Sequence, residues 1–307
     1  MKGVFVVGSH SPWMWVDGRP ANASKLLPPG AAVAVHEDVP LKATSQGTAM
    51  IRVQPRLERL AATAAAAGLE LAAVIELDRL HDVVAEVIAA NGVSDGVARV
   101  SAWMDEEDMA GDPLHVAVTL RPAPHRGSTG LRLASLLNAP AGGSVAGRFA
   151  SRHQARRRGA DGAVVASSAG VVLYCTEGGL FAVIDRTVIM PESCGSMTDL
   201  PVFQELLTEM GYPLRTVTMT REMLRHASEV FVVDSALSVL DVVAIDRRPA
   251  TAGRHVAKAL RRALDRVFES DDLRSRLWLE HVGTREPLPW PKPSNIDVFD
   301  LGYGHGV

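Results

Sequence analysis

The stretch from Gly159 to Glu192, GADGAVVASSAGVVLYCTEGGLFAVIDRTVIMPE, narrows what this chain can fold into more than any other. Its apolar runs AVVAS, VVLYC and LFAVID are short and rich in β-forming residues, and the breaks SSAG and DR are turn chemistry. The pattern predicts a strand meander. Just upstream, the helical pattern ending in ARRRG stops on Gly159, a residue suited to a helix C-cap that feeds the first strand.

The rest of the chain supplies elements to either side. At 307 residues and 47% hydrophobic content there is material for two cores, so two domains are expected. Residues 1–120 read as a small α+β domain. Strands fall at GVFVV, MWV, AAVAV, AMIRV, ARVSAWM and HVAVTL. One helix spans 54–68 with Leu57, Leu60 and Ala61 on one side, and a second runs from Asp78 to Asn91 with Leu80, Val84, Val87 and Ile88 at helical spacing. RPAPHRGSTG, residues 121–130, has the composition of a linker. Residues 131–285 form the larger domain: strand LRLASLL, the meander, a helix from Leu200 to Met210 capped by Asp199, strands RTVTM, EVFVV and VVAID, and a helix from Gly253 to Phe268. The tail 286–307, rich in Pro and aromatics, is expected to lie along a surface or a partner subunit.

Charge and motifs exclude several functions. A net charge of −3 and a pI near 6.4 provide no basic excess to displace counterions from a nucleic acid. Arg148, Arg152, Arg156, Arg157 and Arg158 read as one solvated helix face. The apolar run in MKGVFVVGSH is too short for a signal peptide or a span, and two cysteines without a leader fit a cytoplasmic protein. The ten histidines are scattered without HExxH, CxxC is absent, and no metal site is expected. Neither G-x-S-x-G nor a P-loop occurs.

The meander and its neighbours resemble the class IV aminotransferases, the fold type IV enzymes of pyridoxal phosphate (PLP). Ala155–Ala163 is similar to the family's "A..A...GaDea" helix end, Ala169–Ile184 to its "dG.v.Eg...Nif.v" hairpin, and Met190-Pro191 to its "tP" strand end. QPRLERLAATAAAAG resembles the "H..RL..Sa..lg" helix, and the segment from Phe203 to Asp246 resembles the family's last helices and strands. The resemblance implies a two-domain α+β fold type IV architecture, D-amino-acid aminotransferase-like, with a small N-terminal α/β sandwich and a larger C-terminal β-barrel-like domain. It also implies a homodimer acting on a small-molecule substrate, with no membrane partner.

The residues depart from the family's chemistry. Counting back from Gly159, the Schiff-base lysine position falls at or near Pro140, and none of Lys2, Lys25, Lys42, Lys258 and Lys292 lies between Lys42 and Lys258. Arginine cannot substitute, because its guanidinium stays protonated. The glutamate beside the pyridine nitrogen is replaced by Tyr174, a poor partner for a protonated ring nitrogen. Arg59 matches the family's phosphate-binding arginine, Ser235 of VVDSAL matches the threonine of "gTa", and Arg99 lies on a strand that lines the family's pocket. In CGSMTDLP, Gly195 keeps the third phosphate turn without its arginine. Cys175 follows Tyr174 and points to the opposite face.

These matches imply Tyr174 and Glu177 as catalytic groups, with Arg59, Arg99 and Ser235 binding substrate or anion. No covalent cofactor is expected, and non-covalent PLP or phosphate near Arg59 stays open. The expected activity is a PLP-independent reaction on a small amino- or carboxylate-bearing metabolite. Two alternatives remain: a PLP enzyme using an atypical lysine such as Lys42, and a non-catalytic homologue that binds a ligand or partner.

Overall fold

The computed structural model describes residues 13–22, 31–105, 114–122, 130–137, 145–194, 199–250, 255–270 and 273–283. Strand GVFVV, Pro140, Gly195 and the tail 286–307 lie outside these residues. The chain forms two units, one from Met1–Ala123 together with Leu273–Val307, the other from Pro124–Asp272.

In chain order the first unit contributes β1 (Trp13–Val16), β2 (Arg19–Asn22), β3 (Ala31–Thr44), β4 (Gly47–Ile51), α1 (Val53–Ala66), α2 (Leu77–Asn91), β5 (Gly96–Asp105) and β6 (His115–Pro122). The second holds β7 (Leu131–Leu137), α3 (Val145–Arg157), β8 (Gly162–Ala166), β9 (Val172–Cys175), β10 (Gly179–Ile184), β11 (Thr187–Pro191), α4 (Leu200–Glu209), β12 (Leu214–Val217), α5 (Arg221–His226), β13 (Glu229–Val233), β14 (Val239–Ile245), β15 (Arg248–Pro249) and α6 (His255–Glu269). The chain then returns to the first unit with α7 (Leu273–Trp278) and β16 (Leu279–His281).

The first sheet runs β16-β4-β3-β5-β6-β1-β2. Its strands alternate: Val35, Val39 and Leu41 of β3, Ala98, Val100 and Ala102 of β5, and Val116, Val118 and Leu120 of β6 share one core with Leu57 and Leu60 of α1 and Leu80, Val84, Val87 and Ile88 of α2. Successive strand residues point to opposite faces, so the remaining side chains form a second, more polar face. Gly92, in the left-handed region at φ 60°, ends α2 as C-cap and donates to Ile88 and Ala89.

Assigning everything from 131 to 285 to the larger domain needs correction. Leu279, Glu280 and His281 pair antiparallel with Ile51, Met50 and Ala49, and Arg52 N–H donates to Trp278 O at 2.8 Å. The pairing covers the edge of β4, which the first unit would otherwise leave open. A three-residue strand has too few positions to show a period.

The second sheet runs β12-β11-β10-β13-β14-β7-β8-β9, with β15 on the side of β14. Its first and last strands come back together: Val172 N–H of β9 donates to Met219 O just beyond β12, and Val171 bridges Thr220. The sheet therefore curls into a half-barrel, as the resemblance implied. Two of its hairpins turn on the same dipeptide. Asp185-Arg186 (φ 46° and 61°) and Asp246-Arg247 (φ 52° and 64°) are both left-handed, the conformation a two-residue hairpin needs to match strand twist. Helix α6 buries Val256, Leu260, Leu264 and Val267, and the buried Glu229 carboxylate accepts from the N–H groups of Val256 and Ala257, satisfying two of the first-turn donors. Asp199 stands at the N-cap of α4 but makes no side-chain cap bond, contrary to expectation.

Candidate functional site

In the first unit, β3 places two neighbouring carboxylates on opposite faces. Glu37 lies on the core face, between Val35 and Val39, and 4% of it is exposed. Two arginines one helical turn apart on α1 reach it: Arg56 Nη1 donates to Oε1 at 3.2 Å and Arg59 Nε donates to Oε2 at 2.9 Å. Arg56 also donates to Asp38 O at 2.5 Å and to Ile51 O at 3.3 Å. Burial pushes the Glu37 carboxyl above its ordinary range, against the pull of Arg59 and Arg56.

Asp38 faces the other way and meets Arg99 directly across the β3–β5 pair. Arg99 holds it bidentately, Nε to Oδ1 at 2.7 Å and Nη2 to Oδ2 at 2.9 Å, and Arg121 of β6 adds a bond at 2.8 Å. Burial works against the Asp38 charge, but the Arg99 hydrogen bonds and the Arg99 and Arg121 charges outweigh it and hold the carboxyl well below its ordinary range. Arg59 and Arg99, expected as anion binders, are thus each anchored on an internal carboxylate.

In the second unit, Tyr174 of β9 packs with Ala134, Leu136, Ala155, Ala163 and Val165 under α3 and is 4% exposed. Its hydroxyl lies 3.2 Å from Ser151 Oγ, and the guanidinium of Arg148, one turn earlier on α3, sits 5.3 Å from the ring centroid. Cys175 falls in the opposite core, as strand alternation requires.

Glu177 is buried but committed. Arg152 Nε donates to its Oε1 at 2.7 Å and Arg152 Nη2 to Thr176 O at 2.8 Å, while Thr176 Oγ accepts from Ala163 N–H at 2.8 Å. The neighbouring Gly162 leaves room for this carboxylate, since a Cβ there would collide with the Glu177 side chain. Glu177 thereby ties α3 to the hairpin. The arginines of this helix and its end are largely solvent-facing, as expected, but two also make contacts beneath: Arg148 lies over the Tyr174 ring and Arg152 pairs with Glu177.

At Gly178 (φ 149°) the backbone passes so close to β13 that a Cβ would strike Val233 O. Gly178→Ala is expected to destabilise the second unit by about 2–4 kcal/mol, measurable by urea unfolding.

Ser235 is exposed in the turn joining β13 to β14. The adjacent Asp234, 8% exposed, organises this turn: its Oδ1 accepts from Ala236 N–H at 3.0 Å and Ser238 N–H at 2.9 Å. Amides that could close around an anion are taken by the chain's own carboxylate. Glu37, Asp38, Ser151 and Asp234 carry no role in the sequence analysis, and Arg148 enters it only as a solvated charge. Glu37 had a visible signal, an acid at a core position of an otherwise alternating strand.

Of the five lysines, Lys42 and Lys258 lie among the described residues. Lys42 pairs with Asp95 at 3.4 Å, and Lys258 is exposed on α6. Among the described residues, no group of three His, Cys, Asp or Glu is placed to hold a metal, and no helix is long and apolar enough to cross a membrane.

The model of the family "Amino-transferase class IV" matches residues 48–245, well over half of the chain. The chain belongs to this family. No curated protein matches it. Among solved structures it is similar to the T.th. branched-chain amino acid aminotransferase with pyridoxamine 5'-phosphate, at 22% identity and TM-score 0.78, covering 90% of this chain and 100% of that one. The Thermoproteus uzoniensis branched-chain aminotransferase with norvaline gives 21% identity and TM-score 0.77 over 89% and 100% of the two chains. The Escherichia coli branched-chain enzyme gives 18% and 0.75 over 89% and 99%. At these identities the family fold is shared, and the site must be read from this chain's residues.

Proposed function

We propose that this class IV aminotransferase homologue is a PLP-independent enzyme acting on a small amino- or carboxylate-bearing metabolite, with Arg148, Ser151 and Tyr174 as its working group. The observation that carries this reading is the buried Tyr174 phenol, hydrogen-bonded to Ser151 beneath the Arg148 guanidinium, at the position where the family resemblance places a glutamate. Arg148 is exposed, so an incoming carboxylate meets its charge first. The phenol beneath then offers a hydrogen bond or proton to charge developing on the substrate. Arg59, which the resemblance implies as the anion anchor, pairs with Glu37 in the first unit, and within the second unit Arg148 supplies a guanidinium for that role.

Three features argue against PLP held in the family's manner. A phenol replaces the carboxylate expected beside the pyridine nitrogen, and the buried Asp234 carboxylate sits at the turn where the family's threonine would reach a phosphate. The third is the lysine position, which falls at or near Pro140.

The first test is chemical. Protein incubated with PLP and reduced with borohydride is expected to show no pyridoxyl-lysine by mass spectrometry. An adduct on any lysine would replace this reading with that of a PLP enzyme. The second test is thermal: a panel of small carboxylates and amines is expected to yield at least one that stabilises the protein. Tyr174→Phe should weaken that ligand's binding about tenfold while changing unfolding stability by only about 1 kcal/mol. Stabilisation left intact in both Tyr174→Phe and Arg148→Ala would remove these residues from the site.

A further inference from the structure

A separate cleft of about 240 Å³ opens in the second unit where the start of β7, the turn after α3 and the β14–β15 hairpin meet. Arg132, Arg158 and Arg247, one from each element, line it and are exposed. We propose that this cleft binds a small phosphate-bearing anion, either inorganic phosphate or a phosphomonoester.

Charge in the cleft is one-sided. The lining contains one carboxylate, Asp246, and it is engaged: Oδ1 accepts from Ser135 N–H at 2.6 Å and Oδ2 pairs with Arg221 at 3.5 Å. Nearby Asp161 accepts the Arg132 backbone N–H at 2.7 Å rather than its guanidinium. Arg158 donates to Ser135 O at 3.3 Å, and among the described residues neither Arg132 nor Arg247 has a side-chain partner. Three arginines thus line one cleft, and an anion bound there would be drawn by all three charges.

Local structure explains only one of the three. A cation in the turn ending α3 complements the helix dipole, which accounts for Arg158. It does not account for Arg132 on a strand or for Arg247, whose φ of 64° is a conformation better tolerated by Gly, Asn or Asp. The equivalent arginine of the other hairpin, Arg186, has a use, lying 5.8 Å from the Tyr212 ring centroid. Size and geometry then choose the ligand. The volume is below the roughly 300–1,000 Å³ of sites for larger molecules, which suits a compact head group. Planar guanidinium forks match phosphate oxygens in bidentate fashion, and a phosphate has three such oxygens where a carboxylate has two.

The test is isothermal titration of the full chain with inorganic phosphate and with glycerol 3-phosphate in an otherwise anion-poor buffer. One molecule of at least one of the two is expected to bind. The exposed pair Arg132→Ala/Arg247→Ala should weaken binding about tenfold or more, and Arg247→Glu alone should do the same by adding a repelling charge. Arg156→Ala/Arg157→Ala, on the same helix end but outside the cleft, should leave it unchanged. Absence of binding by the wild-type chain, or unaltered binding by both Arg247 variants, would overturn the proposal. Loss of binding only in Arg148→Ala would likewise overturn it and assign the phosphate to the Tyr174 site.

Discussion

Glu37→Ala is expected to lower the unfolding free energy of the first unit by about 3–5 kcal/mol, seen as an earlier urea or thermal transition. The reason lies in what is left behind. Arg56 is only 5% exposed at its side chain, and without Glu37 its charge stays buried without that carboxylate, beside the carbonyls of Ile51 and Asp38. Arg59→Ala should cost far less, about 1 kcal/mol, because its side chain is 38% exposed and solvent screens the pair. Burial raises the Glu37 pKa, so the pair is not itself a source of net stability at neutral pH. Replacing both partners, Glu37→Leu with Arg56→Leu, is accordingly expected to recover most of the loss. The sign with pH follows from the same shift. Folding holds the Glu37 proton more tightly, so its contribution is fully present below the ordinary pKa of 4.5 and is lost as pH rises through the higher folded value. A double-substituted protein no more stable than Glu37→Ala would refute this account.

Asp38→Asn is expected to cost about 2–4 kcal/mol at neutral pH, because it removes the counter-charge shared by Arg99 and Arg121 on the second face of the same strand. Here the pH dependence runs the other way. The folded carboxyl is depressed, so its contribution is present above the ordinary value of 3.8 and is lost as pH falls below it toward the folded value. Unfolding curves taken across the acid range should therefore steepen in the wild type and flatten in Asp38→Asn, with the two converging at low pH. Parallel curves would show that the Arg99 and Arg121 bonds contribute nothing to the acid stability of this unit.

The strand AAVAVHEDVPL shows its alternation openly, and Val35, Val39 and Leu41 do line the core. The acid at position 37 breaks that alternation. Its explanation comes from α1, because Arg56 and Arg59 reach it across the sheet–helix interface rather than along the sequence. The contacts of Arg148 and Arg152 are hidden for a related reason. On a helix wheel they join Arg156 as solvated charges, and only the packing of α3 over β8 and β9 shows that Tyr174 and Glu177 lie beneath them. The return of the chain to β4 through β16 was hidden because a three-residue strand has no period of its own.

From its order of residues alone this chain determined its family fold, its meander, its apolar faces and most of its helix ends, since these depend on spacings of two and 3.6 residues and on local turn chemistry. Tertiary structure decided which charges meet. It set Glu37 and Asp38 on opposite faces with two arginines each, closed Asp234 onto its own turn, laid Arg148 over Tyr174 and gathered three distant arginines around one cleft. Ion pairs and clefts depend on distances of a few ångströms between residues far apart in the chain, and that information exists only once the sheets have curled and the helices have packed.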